Sequence, residues 1–402
     1  MNPAINPFAP GAGTQPPELS GRSGILDKAL LTLIRVRAGR PSRSQMLLGL
    51  RGVGKTVLLN RLAELAEAEQ YLTVTLEAPE GRRLADMLVP PLRSILFKLS
   101  RLEQTRDVAR RALGVLRAFA KTFKVSIGDV EFSVEAEPGT ADSGQLEADL
   151  PELLVTVAEA GRAAARPIAL LIDEVQYLNE EDLAALIVAM HRISQKGLPL
   201  VLFGAGLPQL AGLAGEAKSY AERLFEYVEV GPLAEDAARE AIRAPVEREG
   251  VSIDDEALDV IVEKTKCYPY FLQEWGSQAW NIAPVSPIRG QDARAATQEA
   301  VKQLDDSFFR VRFDRLTPRE KDYMRAMAEM GPGPHRSGDI AQRLHMGVTN
   351  AAPLRSGLIR KGMIYSPQHG DTAFTVPMFD EFLRRVIPVE IAKATVASKP
   401  KK

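Results

Sequence analysis

Apolar residues recur at helical spacing between Ile25 and Arg37 (Ile25, Ala29, Leu30, Leu33, Ile34), and a short apolar run, Gln45 to Leu48, then ends in glycine. Helical period returns over Thr56 to Glu69 on Val57, Leu58, Leu62, Leu65 and Ala66, and Leu72 to Leu76 reads as a second strand. Strand, helix, strand in that order predicts a parallel sheet. Two long amphipathic helices are expected between Arg82 and Thr122. Strict alternation follows at Phe123, Val125 and Ile127, and at Val130, Phe132 and Val134, around Gly128-Asp129. That pattern predicts a hairpin, either a partner-binding protrusion or an edge of the sheet. A polar loop (Pro138 to Gly144) and a helix (Leu150 to Ala165) lead to two continuous apolar runs, Ile168 to Ile172 and Leu198 to Phe203, of the kind buried on both faces of a sheet. After Gly231-Pro232 the period is helical to about Ala283, and Pro284 to Gly290 reads as a linker. From Leu316 onward come a helix (Pro318 to Met330), a Gly/Pro turn, a short helix (Ser337 to His345), a helix (Thr349 to Lys361) and two strand-like pieces around His369-Gly370, the order of a winged helix-turn-helix.

The expected organisation is therefore a disordered arm (1–18), an α/β core (19–231) with an insert at about 81–144, a helical lid (232–290), a linker helix with the winged helix (291–388) and a basic tail (389–402). The arm is expected to be disordered because alternating Pro, Gly and small polar residues bury too little apolar area to offset chain entropy. A length of 402 residues, 45% hydrophobic and 26% charged, fits two or three folded modules. Net charge is -1, from 51 Lys plus Arg against 52 Asp plus Glu, so the molecule as a whole has no field that draws it to nucleic acid or membrane. Cys267 is the only cysteine, which excludes an intramolecular disulfide and fits a reducing cytoplasm. The start has no cationic segment followed by an apolar one, and no run reaches the roughly 18 apolar residues of a membrane span, so no membrane association is expected.

Two motifs carry chemistry. Gly49-Leu50-Arg51-Gly52-Val53-Gly54-Lys55-Thr56 fits G-x-x-x-x-G-K-[ST] in full, lies after an apolar strand, and opens a helix through Val57. Such a P-loop turns its backbone N–H groups onto phosphates. Lys55 reaches the β and γ oxygens, and the Thr56 hydroxyl can ligate Mg²⁺. The cofactors implied are ATP and Mg²⁺. The run Ile168 to Ile172 ends in Asp173-Glu174, the Walker B pattern. Ligands of an open parallel sheet sit beyond the carboxyl ends of its strands, so Asp173 faces the metal and Glu174 the water that attacks the γ-phosphate. A second acid beside the metal acid predicts hydrolysis, since some group must activate the water. It also argues against a metabolic kinase.

With Gly21-Arg22 ahead of the first helix, Tyr268-Pro269-Tyr270-Phe271-Leu272-Gln273 in the helical module, and the terminal winged helix, the chain resembles AAA+ and STAND-type P-loop ATPases, and among them the origin-recognition and archaeal-initiator-like group, over about Glu18 to Pro388. The resemblance implies that Gly21 and Arg22 border the adenine, that Pro269 is the lid proline near the base, and that Arg223, in Ser219 to Phe225, stands where the family has an arginine finger. Read from the residues alone, Arg223 is equally a solvated helix residue and Pro269 a helix-start proline. The chain departs from the family at two places: Gly204-Ala205-Gly206 offers no polar sensor 1, and Cys267 stands where glycine is usual. Asn350, Arg355, Arg360, Lys361 and His369 form a candidate face for duplex DNA within residues 337–371. The weak basic bias of Leu316 to Pro388 fits protein docking or homo-oligomer contacts as well.

Overall fold

Four of the apolar stretches and the segment Phe225–Glu229 become parallel strands: β1 (Ser44–Leu48), β2 (Leu72–Glu77), β3 (Ile168–Asp173), β4 (Leu200–Gly206) and β5 (Phe225–Glu229). Their order is β2-β3-β4-β1-β5, and β3 and β4 are buried at every position. The register pairs Glu77 with Asp173 and Leu48 with both Gly206 and Glu229, so the carboxyl ends of the strands share one edge. Around this sheet lie α1 (Ser23–Arg37), α2 (Lys55–Ala68), α3 (Leu84–Ser100), α4 (Arg106–Thr122), α5 (Leu146–Ala163), α6 (Glu180–Gln195), α7 (Leu210–Ala217) and α8 (Ala221–Leu224). The computed structural model describes residues 1–11, 13–125 and 134–388; the alternating stretch at Gly128-Asp129 and the tail from 389 lie outside them. The insert helices α3 and α4 form as the periodicity predicts. Asp182, in the first turn of α6, accepts the Leu84 N–H at 3.1 Å and so ties the start of α3 to the core.

The chain divides into two compact units. The one just described comprises residues 22–49 and 55–230; the other comprises residues 1–21, residues 50–54, and the chain from 231 onward. The second unit is helical at first: α9 (Glu235–Arg248), α10 (Asp255–Thr265), α11 (Pro269–Ile282) and α12 (Gly290–Gln303). The expected lid boundary at 290 falls short of α12, which packs back on α10 and α11 and buries Ala293, Ala296 and Ala300 with their core. A π-helical turn, Leu304–Phe309, runs into α13 (Arg310–Asp314). Then come α14 (Pro318–Glu329), β6 (His335–Arg336), α15 (Ser337–Arg343), α16 (Val348–Arg360), β7 (Ile364–Tyr365), β8 (Asp371–Phe374) and α17 (Phe379–Val386), with a three-stranded antiparallel sheet in the order β6-β8-β7. An aromatic column links these parts: Tyr270 stacks on Phe308 at 4.7 Å, Phe382 stacks on Phe309 at 5.3 Å and on Phe379 at 5.4 Å, and Phe309 meets Phe379 at a tilt at 5.6 Å.

The N-terminal stretch corrects the expectation of a disordered arm. Asn2 caps a single 3-10 turn (Pro3–Ile5), and Asn6 donates from its amide to the Ser277 carbonyl at 3.1 Å and to Asn281 Oδ1 at 3.0 Å. The Trp280 indole donates to the Asn2 carbonyl at 2.9 Å. Phe8 is only 6% exposed, and a Cβ at Gly276 would lie 2.6 Å from its ring, so glycine on α11 makes the seat. Composition misses this because a few anchors, each with its own partner, do the work of a core. Phe8→Ala is expected to release the arm and lower the stability of this unit by about 3 kcal/mol, the scale of a buried aromatic truncation. Circular-dichroism melts and limited proteolysis check it; an unchanged midpoint with an uncut arm would show that Phe8 holds nothing.

Candidate functional site

At the end of β1 the chain turns through glycines that adopt left-handed backbone, Gly52 (φ 83°) and Gly54 (φ 91°), conformations a side chain at either position would strain. Gly49 N–H donates to the Gly206 carbonyl at 3.1 Å, which fixes the start of the loop on the tip of β4. The loop's apex groups with the second unit. There Tyr270 N–H donates to the Gly52 carbonyl at 3.1 Å, and a Cβ at 52 would lie 3.2 Å from Tyr270 Cβ. Arg51 N–H donates to the Thr375 carbonyl at 3.0 Å. Leu50 is half-buried, and Val53 is buried at 1% exposure.

Helix α2 starts at the end of the loop and holds Lys55 and Thr56 in its first turn. Lys55 is 7% exposed, and its Nζ donates to the Gly49 carbonyl at 2.9 Å. Thr56 Oγ1 donates to Asp173 Oδ2 at 2.5 Å, which joins the helix start to the end of β3. Burial pushes the Asp173 carboxyl above the usual range, against the opposing pull of the Thr56 hydrogen bond. A threonine hydroxyl and a carboxylate this close suit a hard cation that takes oxygen ligands and keeps some of its water. Among the described residues no cluster of three or more His, Cys, Asp or Glu could hold a metal.

Glu174 follows with φ 54° and ψ 36°, a left-handed conformation for a residue with a side chain. Such strain persists where the surroundings impose it, and it clusters at functional sites. Its carboxylate accepts from Gln176 Nε2, a partner that no periodicity or motif flagged. Lys55, Thr56, Asp173 and Glu174 thus lie on one edge of the sheet.

The family comparison spans these residues: 18–203 match the AAA ATPase domain. Residues 306–383 of the second unit match a domain of unknown function (DUF8462). No curated protein matches the sequence significantly. Among solved structures, a Walker-type ATPase of Pyrococcus abyssi, PABY2304, is 18% identical with a TM-score of 0.59, covering 92% of this chain and 97% of that one. At that identity the likeness shows the fold. The Thermotoga maritima RuvB Holliday junction branch migration motor is 15% identical (TM-score 0.44, 94% of this chain and 100% of that one). The Aeropyrum pernix ORC1 protein, in complex with DNA, is 16% identical (TM-score 0.45, 92% and 94%).

The residues that the resemblance supplied fall in less decided places. Arg22 precedes α1 and is 7% exposed, and burial lowers its pKa from the ordinary guanidinium value. Gly21 has φ 69°, and a Cβ there would meet Ala237 at 2.8 Å. Arg223 lies in α8, beyond the matched span of the AAA domain, and is exposed. Pro269 is the first residue of α11. Cys267 has φ 60°, next to Lys266 at φ 51°, so the backbone there is one that glycine enters freely and cysteine does not.

In the C-terminal module two of the five proposed DNA-facing side chains are engaged within their own unit. Arg355 donates to Thr372 Oγ1 at 2.9 Å and to the Asp371 carbonyl at 2.9 Å. Lys361 pairs with Glu320 at 2.7 Å. Asn350, Arg360 and His369 are exposed. No helix of the described residues is long and apolar enough to cross a membrane.

Proposed function

We propose that the chain is an ATP-hydrolysing switch of the origin-recognition-like group, in which the nucleotide state sets what the C-terminal module, read as a winged helix, binds. The observation that carries this is the convergence of Lys55, Thr56, Asp173 and a strained Glu174 at the end of β3. Gly49 to Val57 wrap and neutralise the phosphates, with Gly21, Arg22 and Pro269 as candidate contacts of the base. Thr56 and Asp173 would hold Mg²⁺, which when bound supplies charge to the phosphate oxygens. Glu174 takes a proton from water as the water oxygen bonds to the γ-phosphorus; the bond from that phosphorus to the bridging oxygen breaks, and ADP leaves with the bridging oxygen. Arg223, exposed on a short helix, fits a finger offered to a neighbouring copy, so a homo-oligomer is part of the reading.

Within the second unit the aromatic column from Tyr270 to Phe382 gives a packed route from the Gly52 contact to the C-terminal module, with the π-helical turn Leu304–Phe309 in its middle. Duplex DNA is the partner proposed first, by Asn350, Arg360 and His369. The test is duplex affinity of Glu174→Gln protein with ATP, with ADP and without nucleotide, at two salt concentrations. Tighter binding in one nucleotide state, weakening at least about tenfold between 50 and 200 mM salt, is expected. One observation favours a second reading, a protein partner: Arg355 and Lys361 are held by Thr372, Asp371 and Glu320, and Val348 on the same helix as Arg355 is 57% exposed. Weak DNA binding indifferent to nucleotide, with capture of a protein in the ATP state, moves the assignment there.

A further inference from the structure

The tip of β4 carries no polar side chain in Gly204-Ala205-Gly206, and Gly204 is closely packed: a Cβ there would lie 2.3 Å from Met46 Sδ. A polar group reaches this place from the neighbouring loop instead. Gln176 sits in the 3-10 turn Val175–Tyr177 that follows Glu174. Its Nε2 donates to Glu174 Oε2, and its Oε1 accepts the Leu207 N–H at 3.0 Å. A Cβ on Gly206 would lie 2.7 Å from that Oε1, so the glycine leaves the space the amide fills. The carbonyl of the same Gly206 accepts Gly49 N–H at 3.1 Å. One side chain therefore ties the Glu174 carboxylate to the strand tip on which the phosphate loop begins.

We propose that Gln176 is a positioning residue for Glu174, standing in for the polar side chain that the β4 tip lacks. The inference rests on the reading of Glu174 as general base. A donor on one carboxylate oxygen fixes the plane of the group and hence the direction of the other oxygen, and a neutral amide does so without competing for the proton that the base must take. The second hydrogen bond, to Leu207 N–H, keeps the amide from rotating with the carboxylate. Gln176 touches neither phosphate nor water in this role; it acts through Glu174.

Gln176→Met keeps length and bulk and removes both hydrogen bonds. Its kcat for ATP hydrolysis is expected to fall about tenfold, with KM and the ATP dissociation constant within about twofold of wild type. In a Glu174→Gln background the same substitution is expected to change the residual turnover less than about twofold, since its effect passes through the carboxylate. Gly206→Ala crowds the amide from the other side and is expected to lower kcat with affinity likewise kept, and it carries the test if Gln176→Met does not fold. Full-rate turnover in Gln176→Met, a parallel loss of affinity and kcat, or a further tenfold loss on top of Glu174→Gln would overturn the proposal. Failure of the underlying reading looks different: Glu174→Gln alone would then turn over like wild type, and the role of Gln176 falls with it.

Discussion

Lys55→Ala is expected to abolish useful nucleotide binding, raising the dissociation constant for ATP at least about a hundredfold. The ammonium group is 7% exposed and anchored to the Gly49 carbonyl at 2.9 Å, so it is already held at the loop. Little ordering entropy remains to be lost when phosphate arrives. Charge-assisted hydrogen bonds to phosphate contribute roughly 1.5–3 kcal/mol each, and two of them correspond to about two to four powers of ten in affinity. Alanine also removes a positive charge that acts on the Asp173 carboxylate, next to Glu174. Titration of a fluorescent ATP analogue, with circular dichroism to check the fold, measures the effect. Binding within threefold of wild type would mean that the loop is not where the phosphates sit.

Glu174→Gln should give the opposite signature: affinity for ATP kept within about threefold, and turnover slowed at least about a hundredfold, the scale of general acid–base effects. The amide has nearly the shape of the carboxylate, so the left-handed backbone at φ 54° and the packing of Val175 need not change. What is lost is the ability to accept a proton. Single-turnover assays with pre-bound ATP separate this from slow product release, because only the chemical step limits the first turnover. Equal single-turnover rates in the two proteins would remove Glu174 from the mechanism and leave the strain at 174 without a chemical reason.

The glycine turn before α2 was legible because its pattern is written in eight consecutive residues, and the acidic end of β3 because a continuous apolar run announces a buried strand and stops at Asp173-Glu174. The parallel sheet followed from the alternation of such runs with helical segments. What the sequence hid were contacts between distant positions. Gln176 looked like any polar residue in a loop, since its partner Leu207 N–H is 31 positions away and the space at Gly206 is visible only once β3 and β4 lie side by side. Charge counting over the C-terminal module included Arg355 and Lys361 among groups available to DNA, yet Thr372, Asp371 and Glu320 already hold them. The lid boundary fell one helix early because Pro284 to Gly290 reads locally as a linker, whereas Ala293, Ala296 and Ala300 return α12 to the same core.

The chain has two tryptophans, Trp275 and Trp280, both on α11 and both fully buried in the second unit. Their intrinsic fluorescence therefore reports on that unit alone and is silent about the sheet that carries Lys55 and Glu174. A denaturation curve followed by tryptophan emission can be a single sharp sigmoid while the sheet melts elsewhere on the axis. Agreement between emission and calorimetric enthalpy, rather than the sharpness of either, is what will certify that the two units unfold as one.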